Sequence, residues 1–369
     1  MADFKDEISV ELARRLSREL SRAWPAFPQR RFTQGLGEAL EPLALLARVE
    51  LLTDRLVETL PDDFVSAAGV LRRALESPEF TGWMALPCGY FVARAGIDHP
   101  QVALPLLAGL TPRWSSEGPI RAFLQRHPDE TYDHLRRWVR DPDEHVRRLV
   151  SEGTRPRLPW APRLRGLVAD PTPNIELLDR LVDDPSAYVR RSVANHLNDI
   201  SKDHPDVAVD LARRWLTRGD AVAWTVRHGL RTLVKRGDPD ALALLGVAPD
   251  ADIRLTSLTL DRDTVAIGDA VTFTLTLELR GTGEAEAVID YRVHYVGAKG
   301  RRGPKVFKLT RRRLVPGQPT TLTRRHRFEH VSIRRIHPGV HTIDVQVNGR
   351  VLGSIDLSVV EHAESGRSP

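Results

Sequence analysis

The chain has 369 residues, 41% of them hydrophobic and 28% charged, with a formal net charge of +5. This length suits two domains, and this composition suits a folded globular protein. The single cysteine, Cys88, excludes an internal disulfide, a CxxC zinc site and a four-cysteine iron–sulfur cluster.

The N-terminal stretch Met1-Ala2-Asp3-Phe4-Lys5-Asp6-Glu7 is acidic and has no apolar core. No signal peptide is expected, and no run of about 18 apolar residues marks a membrane span, so the expected location is cytoplasmic. Apolar residues recur at helical spacing from Leu12, Leu16 and Leu20 to Val207, Leu211 and Trp215. The first 80 residues read as helical without a clear repeat register. Beyond them an internal repeat appears. Asp141-Pro142 precedes Val146-Arg147-Arg148, and 43 residues later Asp184-Pro185 precedes Val189-Arg190-Arg191. Gly219-Asp220 then precedes Val226-Arg227-His228, 37 residues further on. The Pro fits the first position of a helix, and the Val fits a contact between stacked helix pairs. A period of this length predicts a HEAT-type α-solenoid with a concave binding face. Trp24, Trp83, Trp138, Trp215 and Trp224 read as repeat core.

Near residue 250 the pattern changes to strict alternation. Val271, Phe273, Leu275, Leu277 and Leu279 alternate with polar residues, as do Ile289, Tyr291, Val293 and Tyr295, then Ile343, Val345 and Val347, then Ile355, Leu357 and Val359. Period 2 puts one set on a buried face and the other in solvent. With turn signals such as Val315-Pro316-Gly317 and His337-Pro338-Gly339, about seven strands are expected in an immunoglobulin-like β-sandwich. The expected fold is therefore multidomain, α followed by all-β: helical repeats over 1–250, a sandwich over 251–360 and a disordered tail over 361–369.

Charge is uneven. Residues 251–369 hold 19 basic and 13 acidic side chains, leaving 35 basic and 36 acidic in 1–250. Between residues 291 and 335 there are 14 Lys and Arg against one acid, Glu329. Charge at this density repels itself unless a polyanion binds it. Duplex DNA is such a polyanion. The loop Gly297-Ala298-Lys299-Gly300-Arg301-Arg302-Gly303-Pro304-Lys305 is the best candidate for insertion into a groove, with Arg334 and Arg335 among the flanking cations.

The Asp-Pro-x-x-x-Val-Arg-Arg repeats, the segment Ser151-Glu152-Gly153-Thr154-Arg155-Pro156-Arg157-Leu158-Pro159-Trp160 and the segment from Ser192 to Pro205 resemble the HEAT-like DNA alkylation repair proteins. The added sandwich points to the AlkC branch rather than the shorter AlkD branch, and the resemblance covers nearly the whole chain. It implies a monomeric, cofactor-free and metal-free glycosylase acting on double-stranded DNA. Its implied substrates are cationic alkylated bases, chiefly 3-methyladenine and 3-methylcytosine. Such a base leaves without much acid catalysis, so the transition state needs negative charge near the sugar and a positioned water. By resemblance, Glu117, Glu152 and Asp199 match the family's active-site acids. Asp199 is expected to position water or stabilise the oxocarbenium ion, with Asp203 and Asn198 as alternatives. Glu152 and Glu117 are expected at the lesion or its deoxyribose. Trp160 is expected as the cation–π partner of the lesion, with Trp114, beside Glu117, as a second aromatic. Arg155, Arg157, Arg147, Arg148, Arg190 and Arg191 are expected on phosphates.

Other chemistries lack their motifs. There is no P-loop, no HExxH and no dinucleotide fingerprint, and His326, His330, His337 and His341 sit in too basic a region to suggest a metal. Schiff-base lyase activity is not expected, because no lysine lies in residues 152–160, although Lys202 is near Asp199. The rival reading is a non-catalytic helical scaffold that binds DNA or protein.

Overall fold

The structure is a computed structural model that describes residues 4–298, 300, 301, 303–331 and 334–361, with Arg301 described by its backbone alone. The chain divides into two compact units, Met1–His204 with Arg214–Gly229, and Pro205–Arg213 with Leu230–Pro369. Among the described residues no helix is long and apolar enough to cross a membrane.

The first unit is helical. It opens with α1 (Val10–Ala23), α2 (Gln29–Thr33), α3 (Leu36–Leu40), α4 (Leu45–Thr59) and α5 (Phe64–Leu75). It continues through α6 (Ala85–Ala95), α7 (Pro100–Leu110), α8 (Ile120–Arg126), α9 (Pro128–Trp138) and α10 (Glu144–Gly153). The short α11 (Arg165–Ala169) precedes α12 (Thr172–Leu181) and α13 (Ala187–Asp203). Next comes α14 (Pro205–Leu216), whose residues are shared between the two units, and then α15 (Ala223–Gly229). One layer is built by α4 on α6, α6 on α8, α10 on α13 and α13 on α15. A second layer is built by α1 on α5, α5 on α7 and α7 on α9. Helix pairs thus share a core that none could bury alone.

The repeat motif has a structural cause. Pro142 and Pro185 do not occupy the first helical position, as their spacing predicts, but stand one residue before the cap. Asp143 and Ser186 take the cap itself, because their side chains accept from the His145 and Tyr188 N–H groups at 2.7 and 3.2 Å. The first Arg of each pair turns back on its own Asp-Pro turn. Arg147 donates to the carbonyls of Asp141 and Pro142 at 2.8 and 3.0 Å, and Arg190 donates to those of Asp184 and Pro185 at 2.5 and 2.9 Å. Arg147 also grips the Asp184 carboxylate of the next repeat through two bonds of 2.7 and 3.0 Å.

The tryptophans divide. Trp138 and Trp215 are core as expected, whereas Trp24 and Trp83 are only half-buried and Trp224 is 45% exposed. Trp83 sits on a 3-10 turn, Gly82–Met84, where helical spacing no longer dictates burial.

Among the described residues the second unit carries α16 (Arg231–Arg236), α17 (Pro239–Leu244) and ten strands. These are β1 (Ile253–Leu260), β2 (Thr264–Ala266), β3 (Ala270–Leu279), β4 (Ala285–His294), β5 (Val296–Gly297), β6 (Gly300–Arg301), β7 (Lys305–Leu314), β8 (Thr320–Arg327), β9 (Gly339–Val347) and β10 (Arg350–Val360). Three strands, in the order β1-β3-β8, form one sheet, five, in the order β2-β10-β9-β4-β7, form a second, and β5 and β6 pair as a small third. The three strands beyond the expected seven are the short β2, β5 and β6, too brief to leave an alternation. β3 alternates as read, every second residue from Val271 to Leu279 being buried. β9 departs from the expectation that its polar residues face solvent, because His341 through Val347 are all buried. Thr342 bonds Asp356, Asp344 is held by Arg292, His294 and Ser354, and residues 235–248 meet the C-terminal end of the strand. Gln346 donates to the Lys235 carbonyl at 2.8 Å and Asn348 to the Ala248 carbonyl at 3.1 Å. Arg311 on β7 donates to the Leu245 carbonyl at 2.7 Å. Gly237 and Gly349, at φ of 76° and 80°, meet so closely that a Cβ on Gly349 would lie 2.0 Å from the Gly237 Cα.

Candidate active site

Glu117, Glu152 and Asp199 come from three places in the first unit: the turn before α8, the last turn of α10 and the C-terminal half of α13. Arginines join them in one chain. Arg148 Nη1 lies 2.7 Å from Glu117 Oε2, and its Nη2 lies 3.5 Å from Glu152 Oε1. Arg155 donates from Nη1 to Glu152 Oε1 at 2.6 Å and from Nε to Asp199 Oδ2 at 2.9 Å. Lys202, one turn beyond Asp199, donates to Asp199 Oδ1 at 2.8 Å. Ser192 donates to Glu152 Oε2 at 2.6 Å, and Ser115 donates to Glu117 Oε2 at 2.8 Å. Exposure grades along the chain: the Glu117 side chain is 28% exposed, Glu152 6% and Asp199 1%. Buried carboxylates are tolerated because each one is paired and hydrogen-bonded.

The supports are equally specific. Arg121 of α8 donates to the carbonyls of Gly153, Arg155 and Pro162 at 3.0, 2.8 and 2.6 Å, which fixes the loop leaving α10 and with it Arg155. Burial, with the neighbouring Arg155, brings the Arg121 guanidinium down to about 10. Behind the acids runs a buried relay. Tyr132 donates to Asn174 Oδ1 at 2.8 Å, and Asn174 Nδ2 donates to the Thr154 carbonyl at 3.1 Å. The same Nδ2 lies 3.3 Å from His196 Nε2, and His196 Nδ1 lies 2.9 Å from the Ser151 carbonyl. These contacts fit a neutral His196 protonated on Nδ1. Burial lowers His196 to about 4. The relay thereby secures the backbone on both sides of Glu152.

A cleft of about 390 Å³ opens over Glu117 and Arg148, walled by Trp83, Trp114, Tyr90, Tyr188 and Trp160. The Trp83 and Trp114 rings lie 4.1 Å apart, centre to centre. Tyr188 is covered by the Arg148 guanidinium, 4.7 Å from its ring centre. Trp160 is 67% exposed at the tip of the loop, with φ of +61°, and meets Phe4 edge-on at 6.2 Å. A left-handed backbone at a bulky residue is a strained feature of the kind that clusters at binding sites. Burial and the charge of Glu117 both raise the Tyr90 hydroxyl.

The structure thus brings Glu117, Glu152, Asp199, Arg148, Arg155, Trp114 and Trp160 to one region of the first unit. Arg157 stands nearby, its guanidinium held by Asp203 at 2.7 and 2.6 Å, so that Asp203 faces an arginine. Asn198 is buried. Arg147 and Arg190 are engaged by the repeat turns, and Arg191 is exposed. In the second unit, Lys305 lies over the Phe307 ring, 5.4 Å from its centre, and Arg334 lies over Tyr295 at 4.1 Å. Arg335 is exposed. Lys299, Arg302 and the Arg301 side chain lie outside the described residues, as does the tail 362–369. Among the described residues no group of three or more His, Cys, Asp or Glu is arranged to hold a metal. His326 is instead enclosed by the hydroxyls of Tyr291 and Tyr295, each 3.0 Å away. Tyr90, Trp83, Tyr188, Arg121 and Ser192 join the site without having been expected there. For Ser192 and Tyr188 a signal exists, since they flank the repeat's Val189 on the helix that carries Asp199.

A family model described as the C-terminal Ig-like domain of the uncharacterised protein YhaZ matches residues 254–361. The uncharacterized protein YhaZ of Bacillus subtilis (strain 168) is 35% identical over 97% of this chain and 100% of its own. A solved structure, Pseudomonas fluorescens alkylpurine DNA glycosylase AlkC bound to DNA containing an abasic site analog, is also similar. It matches with a TM-score of 0.91 at 33% identity, covering 97% of this chain and 100% of that chain. On these likenesses, spanning helical repeats and sandwich alike, the chain belongs to the family of YhaZ and AlkC.

Proposed function

We propose that this protein is a DNA glycosylase that hydrolyses the N-glycosidic bond of cationic N3-alkylated bases, 3-methyladenine and 3-methylcytosine among them. The observation that carries the reading is the chain of three carboxylates, Glu117, Glu152 and Asp199, beside an aromatic cleft. The likeness to AlkC, solved on DNA with an abasic site analog, supports it.

The chemistry follows from charge. The C1′–N bond breaks with its electron pair going to the cationic base, which leaves neutral. The sugar is left as an oxocarbenium ion. Fixed carboxylates stabilise that cation without reorganising. A water then attacks C1′ and loses a proton to a carboxylate. Glu117, the most exposed acid, stands at the cleft wall beside the lesion. Asp199 serves the sugar or the water, and Glu152 ties the two arginines together. Trp114 and Trp83 offer π faces to a cationic base and little to a neutral one. Arg191 and Arg157 suit flanking phosphates, as do the cations of the sandwich.

The test is release of free base from methylated duplex DNA. Wild type should release 3-methyladenine, and Asp199→Asn, Glu152→Gln and Glu117→Gln should each slow single-turnover release by about 100-fold, the scale of one lost transition-state contact. DNA binding without base release would favour the scaffold reading. Release unaffected by all three substitutions would remove the site assignment.

A further inference from the structure

The acid chain contains as many cations as anions. Glu117, Glu152 and Asp199 face Arg148, Arg155 and Lys202, so the formal charge of the cluster cancels. A site that stabilises a developing cation works best when it carries an excess of negative charge at the moment of reaction. Asp199 presents the same difficulty geometrically. Its side chain is 1% exposed, with Oδ2 on Arg155 and Oδ1 on Lys202, so one of these partners must move before Asp199 reaches a sugar or a water.

The partners are not equally able to move. Arg155 is 9% exposed and spans two buried carboxylates. Arg148 is 16% exposed and likewise spans Glu117 and Glu152. Displacing either would take an ion pair from two carboxylates at once, one of them, Glu152, only 6% exposed. Lys202 is 34% exposed and, among the described residues, makes a single ion pair, at 2.8 Å, on the last turn of α13. Its ammonium sits on a flexible four-carbon stem and is strongly attracted to phosphate. Its neighbour Asp203 already holds Arg157, so it does not compete for Lys202.

We propose that Lys202 is a displaceable counterion of Asp199. In the DNA-free protein it screens the carboxylate. On DNA a backbone phosphate draws the ammonium away, Oδ1 is bared, and the cluster gains one net negative charge as the cationic lesion arrives. Asp199 would then act only where a phosphate is present, which ties the acid's availability to DNA engagement. This assignment rests on the glycosylase reading for its chemical meaning, although the ammonium–phosphate contact can be tested without it.

The experiment compares wild type, Lys202→Met and Lys202→Arg in the full chain, with undamaged and methylated duplexes. Lys202→Met should lower the slope of log K against log salt on undamaged DNA by about 0.9, the share of one phosphate contact. On methylated duplex its loss should fall on KM, several-fold, with kcat changed by less than about threefold, and Lys202→Arg should restore both slope and KM. An unchanged slope overturns the proposal, since Lys202 then never reaches a phosphate. So does a fall in kcat above about tenfold, since Lys202 then supports Asp199 during the reaction. Failure of wild type to release base would sink the glycosylase reading instead, while the salt slope would still decide whether Lys202 meets phosphate.

Discussion

Arg155→Met isolates the ion pairs that hold the acids. Methionine keeps much of the apolar stem and deletes the guanidinium, so Glu152 and Asp199 lose a shared partner while remaining 6% and 1% exposed. Breaking a buried pair costs about 3–5 kcal/mol. Here each carboxylate retains help, Glu152 from Ser192 at 2.6 Å and Asp199 from Lys202 at 2.8 Å, which argues for the lower end, about 3 kcal/mol. For a unit of this size that corresponds to a fall in Tm of roughly 6–12 °C. Thermal unfolding at neutral pH reads it directly. Adding Asp199→Asn, which removes one stranded charge, should recover at least about 1 kcal/mol, a non-additivity that only coupled residues give. A Tm within about 2 °C of wild type would refute the reasoning, because the carboxylates would then be solvated well enough to need no arginine.

Four further outcomes are expected. Asn174→Ala strands Tyr132, the Thr154 carbonyl and His196 in a buried setting, so urea unfolding should show a loss of at least about 1–3 kcal/mol; a smaller loss would mean that the relay does not hold the backbone of α10. Burial pushes the Asp290 carboxyl up to about 6 from 3.8, so its share of stability is complete below about pH 3.8 and is lost as pH rises through 6. Asp290→Asn should therefore melt above wild type at pH 7, by the equivalent of about 1–3 kcal/mol, and match it near pH 3.5; coincident melting at both would contradict the assignment. Trp114→Ala should cost about 30-fold in release of a cationic base and far less for a neutral one, and equal losses would deny a cation–π role. Neutralising the sandwich-loop cations Lys299, Arg301 and Arg302 together should flatten the salt dependence of DNA binding by up to about 2.7 in slope; no change would mean that loop meets no phosphate.

Much of this architecture is legible because periodicity reports burial. The alternation from Val271 to Leu279 becomes β3 with every second residue buried, and the Asp-Pro repeats become stacked helix pairs. Burial by a distant segment leaves no such trace. Asp344 and Gln346 look like solvent-facing positions of β9, yet Asp344 is enclosed by Arg292, His294 and Ser354, and Gln346 meets the backbone of Lys235. Resemblance to a family names the acids, but the arginines joining them read as phosphate ligands. Arg148 and Arg155 carry the same charge whether they face a carboxylate or a phosphate, and local sequence does not distinguish the two. Trp83 departs from its pattern for a different reason. Its neighbours suit a helix, yet it lies on a 3-10 turn and lines the cleft rather than the core.

The close meeting of Gly237 and Gly349 has a consequence for how such proteins can be recombined. Two glycines without side chains let a strand turn rest against the backbone of residues 235–248, and any larger residue at position 349 would force them apart. A sandwich excised at residue 251 would leave Gln346, Asn348 and Arg311 without the carbonyls they now use. A transplanted sandwich therefore has to carry residues 235–248 with it, and exchanges of this module between relatives should fail when the joint falls between Lys235 and Asp250.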